Sequence, residues 1–280
     1  MSFYSHKTMK QALNVLAHMG VVLITVGWLL PMLWMLVNAF RDPGEPFYYG
    51  ILPSRITTVN FSKVLSNPVT MGSFRNSLVV AASAALFDLV IASLAAYGFS
   101  RFRFIGHRAL QILLLVIRLF PGVLLAITLF QVAGYLKIYD TFVPLILANG
   151  LLNLPFAVWN LRTMIEALPK ELEEAAWLDG ATRVGAIVRV VFPLLAPGLA
   201  ATAAFVFLLS WNEYLFAMSF IRSPHKQLIT VAIAANIGQY NVDFTGLLAT
   251  GMLASVPLLA VFLYIQRYIV SGLGVGAVRG

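Results

Sequence analysis

The sequence predicts an all-α membrane protein with six transmembrane helices, and three observations carry that prediction. First, 60% of its 280 residues are hydrophobic and only 11% charged, with a mean hydropathy of +0.86. A soluble domain has roughly 45–50% apolar and about 25% charged residues, so its core could not hide this much apolar surface and the solvent must be lipid. Second, long apolar runs recur six times, each near the roughly 20 residues needed to cross about 30 Å of hydrocarbon. Third, lysine and arginine fall unevenly between the segments that these runs separate, as expected when cytoplasmic loops hold the excess. The net charge of +8 is read as this bias, not as a nucleic-acid surface. The chain has no cysteine, which excludes a disulfide framework and any thiolate metal site or nucleophile.

The spans are expected at residues 13–40, 76–99, 109–133, 141–161, 195–221 and 247–269. Lys7 and Lys10 before the first resemble the charged start of a signal peptide. Its apolar run is too long for that, and no small-residue cleavage site follows, so it is expected to stay attached. With the N-terminus in the cytoplasm, the inner segments carry eleven Lys/Arg and the outer ones seven. The bias is clearest in the short loop holding Arg101, Arg103 and Arg108, where the rule is most reliable. Both termini are therefore expected in the cytoplasm, with the chain multi-pass in the cytoplasmic (inner) membrane. No linker or repeat divides it, so residues 1–280 read as one transmembrane domain.

Three hydrophilic stretches interrupt the apolar pattern. Residues 41–74, outside, hold Pro43, Pro46, Pro53 and Pro68 and read as an ordered loop with one short helix. Residues 222–246, also outside, are polar with scattered apolar positions. Residues 162–193, inside, carry Glu166, Glu171, Glu173, Glu174 and Asp179. There Pro169 suits a first helical position, acidic residues fill the N-terminal turns where the helix dipole favours them, and Gly180 suits the position just past the end. A second helical stretch follows over 182–191, before Pro193 and Pro197. Two short helices with a sharp bend form a knob that could lie on lipid or meet a protein. Its acidic residues favour the protein, because inner leaflets are anionic.

The spacing within this loop resembles a known pattern. Glu174-Ala175-Ala176, three residues, Gly180, nine residues, Val190, one residue, Phe192 and Pro193 is similar to the EAA loop of ABC-importer permeases, with Val190 and Phe192 at positions usually Ile and Leu. Trp211-Asn212-Glu213-Tyr214 is similar to the WNEF signature of maltose-type carbohydrate permeases. Asn76-Ser77-Leu78, Ala96-Tyr97 before Arg101-Phe102, and the ending from Gly272 to Gly280 fit the same family. In that ending Gly274, Val275 and Arg279 stand where Thr, Ala and Lys are usual. The resemblance covers nearly the whole chain and fits the smaller, six-span permease of the pair.

The resemblance implies a permease subunit of a binding-protein-dependent importer that moves a sugar or related polyol by ATP-driven alternating access. It implies that Glu174, Ala175, Ala176, Asp179, Gly180 and Pro193 couple the chain to an ATPase, with Gly274–Gly280 as a second contact. The expected partners are a homologous second permease, two ABC ATPase subunits and an extracytoplasmic solute-binding protein, besides membrane lipid. The chain itself is expected to bind no cofactor and to catalyse no reaction. It carries no G-x-x-x-x-G-K-[ST] phosphate loop, so ATP and Mg belong to the partner ATPase.

Polar residues inside spans are costly and mark candidate function. Asn149, Asn153 and Asn160 share one helical face, with Trp159 beside them; Trp211, Asn212 and Glu213 add a second group. Amides and aromatic surfaces suit carbohydrate in a translocation path, but amides also tie membrane helices together. Asp88 lies about 16 Å below the outer end of its span and Arg118 about 13 Å above the inner end of the next, depths that nearly coincide. A structural ion pair is expected, with a proton or solute site as the alternative; an ion-coupled secondary transporter would use the same two residues. His6, His18, His107 and His225 show no metal-ligand spacing, and no hydrolase motif occurs, so no metal or catalytic site is expected. Asn60-Phe61-Ser62 matches a glycosylation acceptor but reads as incidental.

Overall fold

A computed structural model describes residues 2–45, 50–237 and 242–276, with side-chain surroundings given inside residues 13–266 of these. Among the described residues the structure is helical, with no β-strand beyond two isolated bridges. Five helices are long and apolar enough to cross a membrane, and a sixth crossing is possible if one broken helix pair counts as a single span. The chain divides into two compact units, Met1–Asn67 with Asn236–Leu253, and Pro68–Ala235 with Ala254–Gly280.

In the first unit, α1 (Ser2–Ala39) runs without charge from residue 11 onward and leaves its apolar surface exposed. At its end the chain folds around a fully buried arginine. Arg41 donates through Nε to Asn38 Oδ1 (2.8 Å), through Nη1 to Glu45 Oε1 (2.9 Å) and through Nη2 to the Gly50 carbonyl (2.7 Å). A buried guanidinium is tolerated only when paired and hydrogen-bonded in this way. The short helix expected in the first outer loop is α2 (Val59–Ser66). Asn60 within it is buried, its amide donating to the Ala39 and Arg41 carbonyls at 2.9 and 2.7 Å. That engagement occupies the nitrogen a glycan would need. Lys63 meets Asp243 at 2.9 Å.

The second unit is built on α3 (Pro68–Arg101), α6 (Phe142–Ala167) and α9 (Phe192–Trp211), whose facing residues form its main core. Small residues let the backbones approach: Ala81, Ala84, Ala92 and Ala96 of α3 are fully buried, as is Ala157 of α6. Without a hydrophobic drive inside lipid, such close packing is the main source of helix association. α3 begins eight residues earlier than expected, because Pro68 is compatible with the first helical turn.

Two spans differ from the sequence reading. The run at 109–133 is not one helix: α4 (His107–Ile117) and α5 (Gly122–Tyr135) meet at 100°. Pro121 supplies the break, since it has no N–H and its ring clashes with a continuing helix. The run at 195–221 is likewise divided. α9 stops at Trp211, and a separate helix, α10 (Leu215–Phe220), follows. Between α6 and α9 lie α7 (Glu171–Leu178), α8 (Arg183–Ala186) and a π-helical turn, Ile187–Val191, continuous with α9. After α10 come a 3₁₀ turn, Pro224–Lys226, then α11 (Ile229–Ala234) and the long α12 (Phe244–Gly276).

Candidate functional site

The loop between α6 and α9 is held rigidly. α7 starts at Glu171, two residues after Pro169, and carries Glu171, Glu173 and Glu174 in its first turn. It closes in a Schellman arrangement: the Ala181 N–H reaches the Ala176 carbonyl (2.9 Å), the Gly180 N–H reaches that of Trp177 (3.0 Å), and Gly180 adopts φ +84°. Only glycine takes that conformation without steric cost. Thr182 then caps α8, accepting from the Gly185 N–H at 3.1 Å.

One side of α7 is locked to α3. Glu173, 3% exposed, accepts from Arg101 Nε at 2.7 Å and from the Tyr97 hydroxyl at 2.6 Å, while Arg101 Nη2 donates to the Leu168 carbonyl at 3.1 Å. Arg183 lies 5.8 Å over both Phe102 and Trp177, within cation–π reach. These groups surround a cavity of about 270 Å³. Glu174 is exposed at the rim of this cavity, while Ala175, Leu178 and Asp179 do not line it and are exposed, Leu178 by 90%. Ala176 is half-buried and Pro193 continues into α9. Thus the expected loop residues lie on and beside one short projecting helix, and Glu173, Arg101 and Tyr97 hold it in place. The sequence reading missed this trio. Tyr97 and Arg101 enter the sequence reading as family marks, and Arg101 also as a topological charge, but nothing along the chain joins them to Glu173.

The polar span residues are mostly committed within the chain. Asn149, buried, donates to the Leu145 carbonyl of its own helix at 2.9 Å. Asn153 reaches Ser210 Oγ (3.4 Å) and Asn160 reaches Thr202 Oγ1 (2.7 Å), so both tie α6 to α9. Trp159 is exposed, with the Arg162 guanidinium 5.6 Å above its ring. Trp211 is buried and stacks on Phe207 at 5.7 Å. Asn212 donates to the Leu208 carbonyl (2.8 Å), and the Glu213 carboxylate accepts from the Phe216 and Ala217 N–H groups (2.6 and 2.9 Å), starting α10.

Asp88 and Arg118 do not pair. Asp88 is fully buried, and neither of its carboxyl oxygens has a hydrogen-bond partner among the described residues. Its Oδ1 lies 3.2 Å from where a Cβ on Gly150 would stand. Arg118 is exposed instead, its guanidinium 5.9 Å over the Phe156 ring. Straight antiparallel spans would have matched their depths; the 100° break begins at Arg118 and carries it elsewhere.

On the opposite end of the unit, Asp140 clamps two loops. Its carboxylate accepts from the Arg222 and Ser223 N–H groups (2.9 and 3.0 Å), from Ser223 Oγ (2.5 Å) and from Lys226 Nζ (3.3 Å). The hydrogen bonds from the Ser223 hydroxyl and N–H, then from Arg222, hold its pKa well below the ordinary carboxylate range. Asn76 adds donations to the His225 and Gln227 carbonyls at 2.9 and 3.0 Å. Of the tail Gly274–Gly280, residues 277–280 lie outside the described residues. No group of metal-ligating side chains occurs among the described residues.

Residues 88–275 match the family model for the binding-protein-dependent transport system inner membrane component. A putative ABC transporter permease protein, ORF1 of Streptomyces antibioticus, is 40% identical over 81% of this chain and all of its own length. The trehalose/maltose transport system permease protein MalG of Thermococcus litoralis is 32% identical, covering 95% of this chain and 97% of its own. Among solved structures, a chain of a bacterial ABC transporter involved in the import of the acidic polysaccharide alginate superimposes with a TM-score of 0.75 at 20% identity, covering 91% of this chain and 96% of that one.

Proposed function

Since the chain belongs to the family of binding-protein-dependent transport system inner membrane components, we propose that it is the carbohydrate-translocating permease of an ABC importer in the cytoplasmic membrane, with both termini in the cytoplasm. The observation that carries the coupling half of this reading is the projecting helix α7. It is locked on one side by Glu173, presents Ala175, Leu178 and Asp179 away from that latch, and holds Glu174 exposed at the cavity rim between them. Such a rigid knob with an exposed leucine suits the cleft of an ATPase subunit, and two ATPases with a second, homologous permease would complete the transporter. A solute-binding protein would dock on the outer loops around 41–74 and 222–246, where Asp140 and Asn76 stiffen the turn at Pro224–Lys226. The trehalose/maltose relative supports a sugar or polyol as solute. ATP-driven closure of the ATPases would draw the knobs together and open the path outward, making and breaking no bond in the solute.

Purification of the full chain from its native membrane in mild detergent tests this. Co-recovery of a Walker-type ATPase and a second permease is the expected result. Within that complex, Gly180→Val forces a β-branched residue into left-handed backbone at about 1–2 kcal/mol and is expected to separate ATP hydrolysis from uptake. A chain recovered alone and moving solute in ATP-free vesicles would overturn the proposal.

A further inference from the structure

Arg118 stands at the break between α4 and α5. The eleven residues of α4 rise about 16 Å, half of an apolar core about 30 Å thick, so with α4 along the bilayer normal the break falls near mid-membrane. No carboxylate pairs with Arg118 among the described residues, and its side chain is exposed. A guanidinium at that depth is costly to leave facing lipid. The Arg118 guanidinium lies 5.9 Å over the Phe156 ring, which packs at 4.3 Å against Phe205 of α9, itself 41% exposed. These two rings sit on the α6–α9 seam: Phe156 is three residues after Asn153 and four before Asn160, and Phe205 is three after Thr202. Cation, aromatic surface and polar seam therefore share one membrane-depth face. α5 opens beside Arg118 with no side-chain cap, so its dipole adds to the positive field.

We propose that Arg118, with Phe156 and Phe205, forms a solute contact selecting carbohydrate or polyol that carries an acidic group: a carboxylate, a sulfonate or a phosphate ester. The rings give a surface for the carbon skeleton. The guanidinium meets no counter-charge among the described residues, and in a low-dielectric path the anion of the solute supplies it in forked geometry. This rests on the importer reading above.

The test is ATP-driven uptake by the intact transporter in membrane vesicles, using matched probes: maltobionate against maltose, glucuronate against glucose, glycerol 3-phosphate against glycerol. Uptake favouring an acidic member is expected. Arg118→Gln should lower that uptake at least tenfold, and Arg118→Lys should restore part of it. Phe156→Leu, which keeps the charge, should raise KM. Lack of ATP-driven uptake of every acidic probe, or equal loss of acidic and neutral uptake in Arg118→Gln, would overturn the proposal. Loss of the second permease from the purified Arg118→Gln complex would also overturn it, by assigning Arg118 to the subunit interface. Uptake that proceeds without ATP would instead sink the importer reading.

Discussion

Glu173 and Asp140 show how single carboxylates decide local geometry in this chain. Glu173 neutralises Arg101 where both are almost fully buried. Removing one partner of such a pair leaves an uncompensated charge and costs about 3–5 kcal/mol. Glu173→Gln should therefore loosen α7, read as faster amide hydrogen exchange over residues 171–178; unchanged exchange would show that the helix stands without this latch. Asp140 makes the opposite kind of contact, in a solvated loop. Because its folded pKa is depressed, its contribution is fully present above the ordinary aspartate value of about 3.9 and is lost only as pH falls through the lower folded value. Asp140→Asn should lower the melting temperature by the same amount at pH 7 and pH 5. A difference that closes across that interval would disprove the clamp. Neither role could be read from the sequence, since Tyr97 and Arg101 are more than 70 positions from Glu173, and Arg222 is 82 from Asp140.

The helices themselves were legible wherever periodic apolar runs met clear stop signals. Gly180 is an example: a glycine after an acidic-then-apolar octet ended α7 with positive φ. Hydropathy failed where chain direction changes inside an apolar run, because lipid-exposed and buried residues are equally apolar there. That is why Pro121 inside 109–133, and the step from Trp211 to Leu215, passed as continuous spans. Packing between elements brings a further prediction. A Cβ at Gly150 would lie 2.5 Å from Phe87 Cδ1, with Asp88 Oδ1 limiting the space beside it. Gly150→Ala should force the ring or the helices apart at about 1–3 kcal/mol, lowering the melting temperature in detergent. An unchanged transition would mean that the Phe87 ring swings clear at no cost.

For the molecule as a whole, the proposed orientation in the membrane rests on the arginine-rich turn between α3 and α4. The absence of cysteine makes this easy to probe. A single thiol at Ile105→Cys, in a fully exposed position, should react with impermeant maleimide only after cells are permeabilised. One at His225→Cys, also exposed, should react in intact cells. The reverse pattern would invert the topology, place α7 outside and remove its access to any ATPase. The importer reading therefore depends on this result as much as on family membership.

Composition and apolar run lengths by themselves determined that the chain lives in lipid as a helical bundle, because those properties sum over residues and need no knowledge of contacts. The spacing from Glu174 to Pro193 likewise pointed to one family without coordinates. Only the tertiary structure decided which polar groups meet. It turned Asn153 and Asn160 into ties between α6 and α9, left Asp88 without a hydrogen-bond partner among the described residues, and set Arg118 over Phe156 at the break. Pairing depends on where helices bend and cross, and a hydropathy pattern measured along the chain carries no term for that.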